Sequence, residues 1–339
     1  MNTNNIAVGA VLGASVLFLG ACSGGSADPV ASSDSEGEEI KLSINQTEDH
    51  PGFIALTSFA DDVRADTDGR VNFQVYPNGV LGEQQESVQL VSNGSVGAAS
   101  ISGPQMVNVN DDFAVLDMPL VFDSEEHQMA TINDPEITGE LFDSLSDSNS
   151  LVVLGAYTQG ARSLYNSRGP VVVPEDMDEL KVRVQESETH IDMINAMGGT
   201  ATPMAFSEVY TALQSGVIDG AENNAVSYFT QKHYEVAPFF SFTNHLIGSD
   251  FIVVNAELLD SMSEADRAVV NEDFLASVDT FVDIWDEQQA DAIKQTEEAG
   301  AQFNEVDADA FRAVLQPVVD ESLQTDSQRA LYEAIRDQA

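Results

Sequence analysis

Four of the chain's 13 basic residues, Arg162, Arg168, Lys181 and Arg183, fall within 22 residues, in a sequence with 57 acidic residues and a formal net charge of −44. Cations gathered against that background point to anion binding, with chance clustering as the plain alternative. Arginine suits a carboxylate best, because its planar guanidinium offers a two-point fit. The stretch LKVRVQ at 180–185 alternates cleanly. Leu180, Val182 and Val184 would face a core, and Lys181, Arg183 and Gln185 the other side. Such a strand ending at a cleft would aim Arg183 at a bound acid, although an exposed polar strand face alternates in the same way.

Two further stretches carry candidate contacts. TPMAFSEVY at 202–210 reads as a strand end followed by a helix, with Ser207 as a plausible N-cap and Phe206 placed to close a pocket. Phe206, Val209, Tyr210 and Leu213 are at helical spacing, which is more often core than ligand contact. GVIDGAENN at 216–224 reads as a helix stop, a short strand and a polar turn. The amide of Asn223 can both donate and accept, which suits a hydroxyl-bearing acid, although Asn and Gly favour turns in any case.

Enzyme signatures are missing: there is no P-loop, no nucleophile elbow and no HExxH. The five histidines, at 50, 127, 190, 233 and 245, show no metal-ligand spacing. No metal and no cofactor are expected. Carboxylates are too numerous for an acid pair to stand out. So acidic a surface also repels phosphate, so nucleic acid is not a partner. Its four Lys and nine Arg against 57 acids suggest a source rich in salt, where screening relieves self-repulsion.

The elements that would position these residues follow from the pattern. At 339 residues, with 43% hydrophobic and 7% aromatic content, the chain can form about two globular domains. Residues 6–21 fit the apolar core of a signal peptide, although MNTNN before them lacks Lys and Arg. Leu19-Gly20-Ala21-Cys22 resembles a lipobox, which makes Cys22, the chain's single cysteine, the expected lipidation site and 1–22 the signal peptide. Residues 23–39 are small, polar and acidic and read as a flexible tether. Strands are expected at 40–44, 71–76, 151–157, 182–184 and 251–255. Helices are expected at 53–67, 84–92, 190–197 and 206–216, and almost throughout from Ser263, which offers an N-cap. Alternating strands and helices indicate an α/β layer with crossover connections.

Together these residues resemble the solute-binding proteins of TRAP transporters (tripartite ATP-independent periplasmic transporters, DctP type). The similarity runs from about 40 to about 267. LKVRV…TPMAFSEVYTALQSGVIDGAENN is its most specific piece, supported by FADDVRADTDGRVNFQVYPNGVLG at 59–82, Gly160-Ala161-Arg162 and HYEVAPFFSFTNH at 233–245. The resemblance implies an α/β, two-lobed periplasmic-binding-protein-like fold, with a cleft and a long helix bracing both lobes. Lobe 1 is expected at 40–156 and 246–285, lobe 2 at 157–245 and 286–305, and C-terminal helices at 306–339. It also implies that Arg183 pairs with the ligand carboxylate, Arg162 is a second arginine of the cleft, Asn223 orients the acid and Phe206 lines the pocket. Asn45 and Glu83 would supply polar contacts from lobe 1. The implied role is to capture a carboxylate outside the cytoplasm and deliver it to a small and a large membrane permease subunit driven by a sodium gradient.

Sialic-acid-binding members carry an acid and an arginine where this chain has Ser102 and Gln105, which speaks against sialic acid. The tryptophan that often follows the Glu-Asn-Asn stretch in sugar-acid binders is replaced by Ala225-Val226. A uronate or aldonate is the first expectation for the ligand and a C4-dicarboxylate or small hydroxy acid the second. An extracellular enzyme acting on sugar acids, and a surface sensor working without a transporter, are the rival classes.

Overall fold

Alternating strand and helix at the start of the folded body produce a parallel ladder. In this computed structural model, which describes residues 37–339, β1 (Glu39–Ser43), α1 (Pro51–Asp66), β2 (Asn72–Tyr76), α2 (Gln84–Ser92) and β3 (Ala98–Ser102) form two crossover units. β1 lies between β2 and β3, parallel to both. His50 caps α1, its Nδ1 accepting from the Gly52 amide, and Pro51 opens the first turn. The helix buries Leu56, Phe59 and Val63 completely, each worth about 1.5–3 kcal/mol in burial. Cys22, the apolar run at 6–21 and residues 23–36 of the expected tether lie outside the described residues. β1 begins at Glu39, the last residue of the expected tether.

Three short helices then cover the first half: α3 (Gly103–Val107), α4 (Glu125–Ile132) and α5 (Pro135–Asn149). β4 (Leu151–Asn166) leads to the second half: β5 (Lys181–Val184), α6 (Glu188–Ala196), β6 (Thr200–Pro203), α7 (Val209–Ser215), β7 (Gly220–Asn223) and α8 (Ala225–Thr230). β8 (Phe239–Asn255), α9 (Ala256–Ser261), α10 (Glu264–Glu298), β9 (Gln302–Glu305), α11 (Ala308–Ser322) and α12 (Asp326–Arg336) complete it. The sheet runs β2-β1-β3-β8-β4-β7-β5-β6, with β9 paired parallel to β8.

The fold is two-lobed. One lobe is built on β1–β3 and the other on β5–β7, each with apolar cores on both faces of its sheet. β4 and β8, of 16 and 17 residues, run through both as an antiparallel pair. They are longer than the expected strands at 151–157 and 251–255. The boundaries expected at 156/157 and 245/246 therefore fall inside continuous strands. Bulges break the β4–β8 register between Val153 and Gly155, between Thr158 and Ala161, and between Arg162 and Leu164. Gly160, in the middle bulge, has φ +65°, and a Cβ there would lie 2.6 Å from the Trp285 ring, so only glycine fits.

α10 is the long brace. Its 35 residues pack on α1 in one lobe and on α8 in the other. Ser263 caps it, accepting from the Asp266 amide, and Phe281 stacks on Tyr157 at 4.5 Å. α11 packs on α6 and α12 on α5, so each lobe receives one of the last two helices. The almost wholly helical tail expected after Ser263 needs a correction: β9 interrupts it, because 302–305 extends the β8 edge in register from Phe239 to Phe242. Among the described residues no helix is long and apolar enough to cross a membrane.

Candidate functional site

In an open parallel sheet the ligand crevice forms at the carboxyl ends of the strands, and the polar residues of this chain collect there. Asn45 and Gln46 follow β1, Gln84 opens α2, Ser102 ends β3, and Gln159 and Arg162 flank the middle bulge of β4. Gln185 follows β5, Phe206 follows β6, and Asn223 ends β7. They enclose a cavity of about 20 Å³ that adjoins a second of the same size reaching Glu83, Gln105 and Met204. A larger groove of about 760 Å³ lies behind, between α4, α10, α11 and β8. Its walls carry Asp123, Glu125, Glu126, Asp286 and Glu305 against the single Arg312, which makes it a poor host for an anion whatever its size.

The cleft is closed. Ser207 Oγ donates to Glu83 Oε1 across the two lobes at 2.6 Å, and Asn108 Nδ2 donates to the Glu186 carbonyl at 3.3 Å. Ser102 Oγ lies 2.6 Å from the Gln185 amide. The Ser102 hydroxyl has one proton, and Gln84 Oε1 accepts both that proton and the Ser102 amide. Gln185 therefore meets Ser102 through its NH2 group.

Arg183 follows from the alternation of β5. Val182 and Val184 are fully buried in the core and Lys181 is exposed. Arg183, 3% exposed, turns into the cleft. Its Nε and Nη2 donate to the Met204 carbonyl at 3.0 and 2.8 Å, and its Cζ lies 5.6 Å from the centre of the Phe206 ring. It has no carboxylate partner among the described residues. Burial pulls its pKa down to about 10, against the opposing pull of Glu222 and Tyr165, and it remains a cation at neutral pH.

Arg162 has a different environment. Its Nε donates to Glu222 Oε2 at 2.6 Å and its Nη2 to Oε1 at 2.8 Å, with 2% and 0% of the two side chains exposed. Burial would weaken its hold on the proton, but Glu222 more than reverses this. Burial likewise disfavours the Glu222 anion, yet Arg162, His190 and His245 hold its pKa well below the ordinary carboxylate range. Arg162 Nη1 donates to Gln159 Oε1 at 2.6 Å and to Asn223 Oδ1 at 2.9 Å. Asn223 Oδ1 also accepts the Asn224 amide, which leaves Asn223 Nδ2 as the donor offered to the cleft. Gln159 Nε2 donates to Asp250 at 2.7 Å, and burial pushes Asp250 up to about 6.

The structure thus brings Arg183, Arg162, Asn223, Phe206 and Asn45 to one cavity and places Glu83 at the rim, held by Ser207. Ser207 does not cap α7. Residues 206–208 form a 3₁₀ turn before the helix starts at Val209, which frees Ser207 to cross the cleft. Arg168 pairs with Asp219 at the surface. Sequence reasoning missed Gln46, Gln84 and Gln159 as lining residues. The available signal was their position: Gln46 in the turn after β1, Gln84 at the start of α2, and Gln159 beside Gly160 in the bulge of β4. It also missed Glu222 as the partner of Arg162. No metal-holding group of three or more His, Cys, Asp or Glu occurs among the described residues.

Comparison with known proteins converges on one group. The family described as bacterial extracellular solute-binding protein, family 7 (DctP), matches residues 42–326. A solute-binding protein of Chromohalobacter salexigens is 40% identical over 276 residues, 81% of this chain and 82% of that protein. The C4-dicarboxylate-binding periplasmic protein DctP of Rhodobacter capsulatus is 30% identical over 322 residues, 93% and 92% of the two chains. Among solved structures, a TRAP periplasmic solute-binding protein from Chromohalobacter salexigens with bound D-glucuronate superposes with a TM-score of 0.85. It has 36% identity and covers 88% of this chain and 100% of its own. A counterpart from Xanthobacter autotrophicus with bound β-D-galacturonate gives 0.84 at 29% identity, covering 88% and 99%.

Proposed function

The chain belongs to the bacterial extracellular solute-binding protein family 7, and from that premise we propose that it captures a sugar acid, a hexuronate first, for a TRAP permease. One observation carries the ligand class: among the described residues the cleft holds a single uncompensated cation, Arg183, among neutral amides and a hydroxyl. That set answers one carboxylate and several hydroxyl groups. Arg183 takes the carboxylate, Asn223 Nδ2 a ring or carboxylate oxygen, and Gln46, Gln84 and Gln159 lie within reach of hydroxyls. The uronates bound in the two structural relatives agree with this reading.

A C4-dicarboxylate is the second reading, supported by the Rhodobacter capsulatus relative. Its second carboxylate would need another free cation, and Glu222 already neutralises Arg162. Leaving one carboxylate unpaired in a closed cleft costs several kcal/mol. Calorimetric titration of D-glucuronate, D-galacturonate, succinate and malate separates the two: uronates bind and the dicarboxylates do not. Tight succinate binding without uronate binding overturns the choice.

Capture proceeds by closure of the lobes over the ligand. The lobes are 40–156 with 246–285 and 157–245 with 286–305, and the β4–β8 bulges serve as the hinge. Residues 306–339 form the C-terminal helices, one packed on each lobe. The closed protein then presents the acid to the small and large permease subunits. Cys22 anchors the body through lipid to a membrane, facing the periplasm or the cell exterior, and the acidic surface suits high salt. Mass labelling of Cys22 with an acyl chain, and unfolding against salt concentration, check these two assignments.

A further inference from the structure

Behind the cleft wall runs a row of ionisable groups with no access to water. Asp117 ends the 3₁₀ turn at 111–117 and is 1% exposed, in the core of the lobe built on β1–β3. His190 and Glu222, both 0% exposed, lie on α6 and β7 of the other lobe. His190 Nε2 is 3.0 Å from Asp117 Oδ2, and its Nδ1 is 3.7 Å from Glu222 Oε1. Neither ring nitrogen meets hydrogen-bond alignment, and both lie within ion-pair distance of a carboxylate oxygen. His245, on β8, lies 3.5 Å from Glu222 Oε2, and burial keeps it neutral. Arg162, on β4, is paired with Glu222; the further buried ionisable groups of this region are Arg183 on β5, which also feels Glu222, and Asp250 on β8, which feels Arg162. α11 and β5 meet α6 through apolar side chains, among them Phe311, Leu315, Val182 and Val184.

Among the described residues Asp117 has no other cation within ion-pair distance, and Glu222 lies between Arg162 and the His190 ring. An imidazolium at His190 gives the enclosed Asp117 carboxylate its counter-charge. We propose that His190 is a positioning residue of the cleft: held as an imidazolium between Asp117 and Glu222, it fixes the carboxylate that fixes Arg162, and it ties the two lobes together, so closing on the ligand takes up a proton. Burial alone would depress this histidine, and it is the largest single effect. Asp117 and Glu222 together outweigh it and push His190 up to about 9. An open cleft that separates Asp117 from α6 removes part of that support, which is what couples the proton to closure.

The inference rests on the sugar-acid reading, and its test keeps the two apart. D-glucuronate is titrated calorimetrically near pH 7.5 in two buffers of different ionisation enthalpy, then at intervals from about pH 6 to about pH 9. The wild type is expected to take up a fraction of a proton on binding, and to lose up to about tenfold in affinity per pH unit at the alkaline end. His190→Gln keeps the bulk but not the charge; it takes up no proton at this site, and its affinity is flat above about pH 7, clear of the Asp250 carboxyl. Glucuronate binding without proton uptake in the wild type overturns the assignment and leaves the ligand reading standing, and so does uptake that persists in H190Q. If H190Q does not fold, the wild-type proton count alone decides. If glucuronate does not bind at any pH the ligand reading fails, and the proton count and ¹⁵N imidazole shifts are taken instead on the complex with whichever acid of the calorimetric series binds. A neutral His190 ring in that closed complex at about pH 7 overturns the assignment.

Discussion

Arg162 and Arg183 line the same cavity from strands on either side of β7, and both are almost wholly buried, at 2% and 3% exposure. Arg162 is answered inside the protein by two hydrogen bonds to Glu222. Among the described residues Arg183 makes direct contact only with the Met204 carbonyl and an aromatic face. The residue type is the same and the difference lies in the counter-ion. A buried guanidinium with its own carboxylate orients neighbours, here Gln159 and Asn223. A buried guanidinium without one keeps its charge for a ligand.

That contrast can be broken by substitution. Arg162→Ala leaves Glu222 charged and unpaired in the interior, and should lower unfolding stability in urea by about 3–5 kcal/mol, with ligand binding lost alongside. A stable, binding-competent R162A would erase the distinction. Arg183→Ala should cost about 2–5 kcal/mol of ligand affinity by calorimetry while leaving the urea midpoint nearly unchanged. Arg183→Lys should fall between wild type and alanine, because a point charge cannot reproduce the two-point fit.

The pH dependence sharpens the same comparison from the Glu222 side. The folded His190 pKa is raised to about 9, above the ordinary value of about 6.5. Its contribution to stability is therefore fully present below about pH 6.5 and is lost as pH rises through about 9, up to about 3 kcal/mol in all. Urea midpoints across that window check the sign; stability rising there would contradict it. The smallest effect is expected at the rim. Ser207→Ala removes one cross-lobe bond to Glu83 and should weaken binding by about 0.5–1.5 kcal/mol, seen as faster ligand release.

What the sequence made legible followed local periodicity. The LKVRVQ alternation put Arg183 opposite Val182 and Val184, and the strand–helix alternation gave the β2-β1-β3 ladder with its crossovers. The Ser263 cap marked the start of α10. What stayed hidden depended on distance in sequence or on broken periodicity. Glu222 is 60 residues from Arg162, and nothing local distinguishes it among 57 acids. Gly155 and Gly160 interrupt the two-residue repeat of β4, which concealed its full length and the bulge that aims Gln159. β9, four residues long, carries too little pattern to announce itself before β8 offers an edge. Ser207 looked like a cap because its partner, Glu83, lies in the other lobe.

The central claim is that the uncompensated charge of Arg183 receives the ligand's carboxylate. Titration of D-glucuronate into wild type and R183A, each first shown to unfold at the same urea concentration, tests it most directly. The account predicts binding by the wild type and at least about thirtyfold weaker binding by R183A, the lower end of the truncation cost. Equal affinity in the two proteins would contradict it.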